Sequence, residues 1–209
     1  RSLVTYRIGE NPLAPEETAR TPLAGARQIA VSERFLFVSA RHFGVFVFDR
    51  SDPARPVPVT RIDPVELATG IAVAGDVLFV SLRVYGVELI DVSDPKNPRH
   101  LSLLRNCGEI QSLFNFGNGL LAMGDWGGKQ LRIADIRNPR KPVEISRTNL
   151  DGYGDGVHVQ GNYCYASTGH HSRKRNPEER YGKGHGLEIF DISDPEHPGR
   201  IGVDPAGSL

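Results

Sequence analysis

The sequence predicts an all-β fold, a β-propeller of four-stranded blades, and three observations carry that prediction. One stretch, Gly86-Val-Glu-Leu-Ile-Asp91 with Ser93-Asp-Pro95 and Pro98 behind it, recurs along the chain. Gly44-Val-Phe-Val-Phe-Asp49 leads into Ser51-Asp-Pro53, Gly186-Leu-Glu-Ile-Phe-Asp191 into Ser193-Asp-Pro195, and a worn copy, Leu131-Arg-Ile-Ala-Asp135, into Asn138-Pro139. The anchoring residues Asp49, Asp91, Asp135 and Asp191 lie 42, 44 and 56 residues apart, and a repeat of about 40–50 residues marks a propeller or solenoid. Finally, no segment holds a helical period for ten residues, while short Val-, Ile-, Leu- and Phe-rich runs between Gly, Pro, Asn and Asp read as strands.

Composition narrows the class. With 39% hydrophobic residues the chain can bury a core, which argues against disorder. The 23 Gly and 15 Pro suit many short strands joined by tight turns. Lys+Arg and Asp+Glu both number 25, so no global basic field favours nucleic acid or an anionic membrane. No run of 18 apolar residues is present, so no membrane span is expected. The opening Arg1-Ser2-Leu3, without an initiating Met, is expected of a processed or trimmed piece, and the lack of a signal pattern says nothing about export. Cys107 and Cys164 fit no zinc spacing. Cys164, inside a strand pattern, reads as a small buried hydrophobe, and pairing between the two is left open.

In chain order, residues 2–9 read as a stray strand, the fourth of a preceding repeat. Four repeats follow, over about 24–61, 66–104, 110–147 and 154–204, within one propeller segment spanning residues 1–209. Their strands fall at 29–31, 35–38, 45–48 and 57–60; 71–75, 77–81, 87–91 and 99–104; 113–116, 120–123, 131–133 and 143–145; and 157–159, 163–166, 187–190 and 200–203. Every strand type occurs equally often in a closed ring, so the surplus strand predicts a segment of a larger ring of about seven blades; a closed ring of four is the alternative. The Asp-x-Ser-Asp-Pro turns are structural: Asp and Ser side chains bond backbone N–H groups two residues on, and Pro presets φ.

Gly-[Val/Leu]-x-[Leu/Ile/Val]-[Ile/Phe]-Asp-x-Ser-Asp-Pro-x-x-Pro, preceded by Val-x-x-x-x-x-Leu-Phe-Val, resembles the LVIVD repeat. The resemblance covers nearly the whole chain and implies a β-propeller. By association it also implies an exported protein, extracellular, periplasmic or on the cell surface. It implies no single activity, since fold does not fix function.

Candidate chemistry collects where repeats depart from one another at the channel mouth. The loops joining second and third strands carry Arg41 and Arg83, each with an aromatic two residues on, suited to stacking or to a bidentate clamp on carboxylate or sulfate. Arg27, Asp125 and Asp155 are further candidate ligand-binding residues. Trp126, the sole Trp, suits stacking on a sugar or filling a gap between repeats. The fourth repeat carries a loop over 169–185, and such lengths are functional or disordered. His158 stands where other repeats place Ala30, Ala72 and Phe114. With His170, His171 and His185 it forms a candidate site for zinc or another divalent metal. With His170, His171 and Tyr181 it is a candidate set for proton transfer. The alternative is a hydrogen-bonded core histidine beside a solvated basic loop. Two functions follow as expectations. One is an exported binding module, with a mouth that takes a polysaccharide or protein and with further blades or another subunit as neighbours. The other is a propeller enzyme, a lyase or hydrolase of acidic polysaccharide, using the fourth-repeat histidines with or without a metal.

Overall fold

Each repeat folds back on itself at two turns that its residues dictate. In the first, an Asp accepts the backbone N–H two residues on: Ser51 to Asp49 at 2.8 Å, Ser93 to Asp91 at 2.9 Å, Arg137 to Asp135 at 2.9 Å and Ser193 to Asp191 at 2.8 Å. The second, in the first two repeats, is the tight turn before the third strand, closed by a glycine at positive φ, 75° for Gly44 and 108° for Gly86. A Cβ there would stand 2.4 Å from the Ile62 carbonyl oxygen, or 2.1 Å from that of Leu104. Only glycine fits, which explains the residue that opens the repeated motif.

The computed structural model describes residues 1–169 and 186–205, and among these there is no helix. A hairpin of β1 (Ser2–Arg7) and β2 (Glu16–Pro22) comes first. Blade 1 holds β3 (Ile29–Val31), β4 (Phe35–Ser39), β5 (Val45–Asp49) and β6 (Val57–Ile62). Blade 2 holds β7 (Ile71–Ala74), β8 (Val77–Ser81), β9 (Val87–Asp91) and β10 (Arg99–Leu104). Blade 3 holds β11 (Ile110–Asn115), β12 (Leu120–Asp125), β13 (Gln130–Asp135) and β14 (Val143–Asn149). Blade 4 holds β15 (Tyr153–Gln160), β16 (Tyr163–Gly169), β17 (Gly186–Asp191) and β18 (Gly199–Pro205). Every blade is an antiparallel meander in sequence order. The blades touch in succession through their innermost strands, β3 against β7, β7 against β11 and β11 against β15.

The strand over Ser2–Arg7 is not solitary, which corrects the reading of residues 2–9 as a lone fourth strand. It pairs with Glu16–Pro22, a segment too polar to announce itself as a strand. Because β2 leads into β3 as β6 leads into β7, β2 holds the fourth position and β1 the third.

The core lies between blades. Phe37, Val47 and Ile62 of blade 1 pack with Ile71, Leu78 and Val80 of blade 2. Phe79 and Leu89 pack with Ile110, Leu121 and Met123, and Leu131 and Ile133 with Cys164 and Phe190. Middle strands are covered on both faces, so Val87, Leu89 and Ile90 are all buried and the strands read as continuous apolar runs. Each such Leu, Ile or Phe contributes about 1.5–3 kcal/mol by leaving water. Hydroxyls also cross the seams. Ser39 Oγ donates to the Thr69 carbonyl at 2.8 Å, and Ser81 Oγ to that of Ile110 at 2.9 Å. Cys107 and Cys164 are free and buried in different clusters. Burial pushes their thiols up, to about 11 and about 12.

Candidate functional site

The turns after β4 and β8 begin with Arg41 and Arg83, both at φ 55°. That left-handed backbone is uncommon for any residue but glycine, and here it is held by pairing across the seam. Arg41 exchanges backbone hydrogen bonds with Ala68 at 2.9 and 3.1 Å, and the Ile110 N–H donates to the Arg83 carbonyl at 3.2 Å. Both guanidinium groups therefore start from fixed points on the mouth of the channel.

A cavity of about 220 Å³ opens there, lined by Arg27, Arg83, Glu109, Gln111, Trp126 and Asp155. Four of these are candidates from the sequence; Glu109 and Gln111 are not. Arg83 donates to Glu109 Oε1 through Nε at 3.1 Å and Nη2 at 2.8 Å. Gln111 Nε2 reaches the same oxygen at 3.4 Å, and Arg27 Nη2 reaches Gln111 Oε1 at 3.4 Å. Burial holds the Arg27 guanidinium below its usual range, helped by Arg41, Arg1 and Arg83 and opposed by Asp155. Arg41 thus acts on the mouth through its field without lining the cavity. Asp155 sits at a β-bulge, since Gly154 pairs with Thr168 and Gly156 with Ser167, leaving it no partner residue in the ladder. Bulges re-aim side chains, and this one brings a carboxylate to the cavity. Trp126 stacks on Tyr153, rings 4.6 Å apart and 19° from parallel, and Lys129 Nζ lies 4.8 Å from the centre of the Tyr153 ring.

Asp125 is not available to a ligand. Fully buried, it accepts from Arg132 Nε at 2.9 Å, the Glu109 N–H at 3.0 Å and the Gly128 N–H at 2.9 Å. Burial lowers the Arg132 guanidinium, but bonds to Glu144 and Asp125 outweigh it and leave it raised. Asp125 therefore positions the loop that carries Glu109 and the turn that carries Trp126.

His158 is exposed and meets Phe114 edge-on at 4.5 Å between ring centres. Its pairing with Tyr165 matches Ala30 with Phe37, Ala72 with Phe79 and Phe114 with Ala122, as the repeat alignment requires. Three residues of strand, about 10 Å, separate it from Asp155, and it does not line the cavity. His170, His171, Tyr181 and His185 lie outside the described residues. Among the described residues no three His, Cys, Asp or Glu side chains converge as metal ligands.

The sequence matches the LVIVD repeat over residues 25–63, 67–103 and 182–203. The chain carries LVIVD repeats. No curated protein matches it. Among solved structures, a putative 6-phosphogluconolactonase from Bacteroides uniformis is similar with a TM-score of 0.75 at 14% identity, over 99% of this chain and 65% of that one. A chain of the nidogen/laminin complex gives 0.62 at 17%, over 92% of this chain and 67% of that one. BamB from Moraxella catarrhalis gives 0.57 at 11%, over 88% and 52%. These are β-propeller proteins, and at such identities the likeness shows the fold alone. The chain spans between 52% and 67% of their lengths.

The matched LVIVD repeats are blades 1 and 2 and the outer half of blade 4; blade 3, which supplies Glu109, Gln111 and Trp126, falls outside the match. The second residue after the motif glycine is a further position that sequence reasoning missed. Glu88 and Glu188 are both buried there, and they accept the N–H of Val65 at 2.9 Å and of Asp151 at 2.8 Å. Each carboxylate thereby fixes the loop entering its own blade, on the face that bears the cavity. Blade 3 places Arg132 at this position, and Asp125 takes over as acceptor.

Proposed function

We propose that this protein is a binding module whose channel mouth takes a carboxylated polysaccharide. The cavity between Arg27 and Arg83 carries the reading: it joins two guanidinium groups, a Gln, two carboxylates and Trp126 in one small space. Arginine forks match carboxylates bidentately, and an aromatic wall beside polar groups suits a pyranose ring. The volume falls below the ~300–1,000 Å³ of pockets that enclose a drug-sized ligand, so one sugar unit enters at a time while the polymer runs over the mouth. Binding is favoured over lyase or hydrolase chemistry because His158, the proton-transfer candidate within the described residues, packs on Phe114 instead of lining the cavity. An exported location belongs to the same reading, and recovery with the cytoplasm on cell fractionation counts against it.

Calorimetry with oligogalacturonate and with a neutral oligosaccharide of equal length tests the ligand. Saturable binding of the acidic polymer, weakened in both Arg27→Ala and Trp126→Ala, is expected. Equal affinity for the two polymers, or binding indifferent to both substitutions, would overturn it.

A further inference from the structure

The β1–β2 hairpin occupies the third and fourth positions of a blade, and among the described residues nothing occupies the first and second. The hairpin itself is well seated. Leu3 and Leu23 are buried against Val38 and Phe48 of blade 1, and Leu23 holds the place that Ile62 and Leu104 hold at the ends of β6 and β10.

The other seams show what should lie beside it. Ile29 and Ile71 are equivalent, opposite Val38 and Val80 in their ladders. Ile71 is 3% exposed because Ala30 and Phe37, on the inner two strands of blade 1, pack with it. Ile29, with no such strands in front of it, is 52% exposed, as is Val31. A cavity of about 480 Å³ fills that space, lined by Ser2, Leu3 and Val4 on one side and by Ala26, Ile29 and Val38 on the other, with Arg1 and Arg27 at its rim.

The edges differ in the same sense. Outer strands carry residues that discourage pairing: Pro58 and Arg61 on β6, Arg99 and His100 on β10, Glu144 and Arg147 on β14, Glu16, Glu17 and Pro22 on β2. The inner edge, β1, runs Ser2-Leu3-Val4-Thr5-Tyr6 without a charge or proline, and its one charge, Arg7, stands at the far end and pairs with Glu16. Unprotected neutral edges are templates for another strand.

We propose that this edge is a docking site for a two-stranded hairpin with the apolar pattern of β3–β4, supplied by another repeat of the same kind, pairing antiparallel with β1 and covering Ile29. A second copy of residues 1–209 fits less well. Its free hairpin would bring β2, with Glu16, Glu17 and Arg20, over Ile29.

The test uses a fluorescent synthetic peptide of residues 69–82, the inner hairpin of blade 2, added to the purified protein, with a scrambled peptide as control. Saturable anisotropy change, at least tenfold slower amide exchange along β1, and loss of both in Ile29→Asp and in Val4→Lys are expected. Ile29 and Val4 are at least partly exposed, so both variants should keep the wild-type circular dichroism. Absence of binding with unchanged β1 exchange would overturn the proposal. A concentration-dependent dimer in sedimentation, dissolved by Ile29→Asp, would overturn it as well by making the second copy the occupant.

Discussion

Arg83 directs Nε and Nη2 at one oxygen of Glu109, at 3.1 and 2.8 Å, so the cavity's own carboxylate occupies the guanidinium edge an acidic ligand would need. Glu109→Gln should therefore tighten binding of oligogalacturonate while leaving a neutral oligosaccharide unchanged. A partly exposed pair is worth about 0.2–1 kcal/mol, so the expected gain is a factor of about five at most. Weaker binding in Glu109→Gln would mean that Glu109 contacts the ligand itself.

The Asp125–Arg132 pair sets the stability of blade 3. Removing one partner from a buried pair leaves a stranded charge and costs about 3–5 kcal/mol. Asp125→Ala should lose about that much in urea unfolding. The double variant Asp125→Leu with Arg132→Met should recover most of it, since Leu82 is the equivalent of Asp125 in blade 2 and the remaining Glu144 still pairs with Arg147. A double variant no more stable than Asp125→Ala would refute this account.

Acid should weaken the fold through its turns. The Ser51 hydroxyl and N–H, with Arg34, hold the Asp49 carboxyl down at about 2 from 3.8, and Ser93 with Arg99 does the same for Asp91. A carboxyl depressed in the folded state stabilises it fully above its unfolded value and loses that contribution as pH falls toward the folded one. The Tm should be insensitive to these groups above about pH 5 and fall between roughly pH 4 and pH 2. In Ser51→Ala combined with Ser93→Ala that limb should be shallower, because the hydroxyl is the largest cause of each shift.

Thiol chemistry reports on the seams. With both thiols buried and raised to about 11 and about 12, neither should react with a disulfide reagent at pH 8 in the native protein. Both should react together once denaturant passes the unfolding midpoint. Rapid reaction of Cys164 alone would mean that the seam between blades 3 and 4 opens independently.

The fold is legible because every blade repeats the same Asp and Pro at fixed distances, and all but blade 3 the same Gly, and turns are the part of a β structure that side chains dictate most locally. Strand β2 is not, since an outermost strand faces water and carries charges in place of an apolar run. At the mouth, Arg83 recurs with Arg41 as a loop arginine, and Trp126 and Asp155 stand out as departures from the repeat. Asp125 groups with them because it adjoins Trp126 in sequence, yet Asp125 ends β12 with its side chain buried while Trp126 begins the turn. A signal does exist: blade 3 puts Asp125 where blade 2 has Leu82 and Arg132 where it has Glu88, opposite charges arriving together. Glu109 precedes β11 and Gln111 sits at its bulge between Ile110 and Ser112, ahead of the apolar run from Leu113 by which the repeats are aligned.

The seam hydroxyls bear on how such an array can be rearranged. Ser39, Ser81 and Ser167 share one position, and blade 3 has Gly124 there. A Cβ on Gly124 would meet Ser112 Oγ at 2.6 Å and the Gly154 carbonyl of the next blade at 3.1 Å. Blade 4 is thus shaped for a neighbour without a side chain at that point. Blades of one architecture are therefore not spare parts for one another: shuffling or duplicating a repeat here needs the seam on both sides to move with it, so the unit of inheritance is the interface, and the order of the blades is written into it.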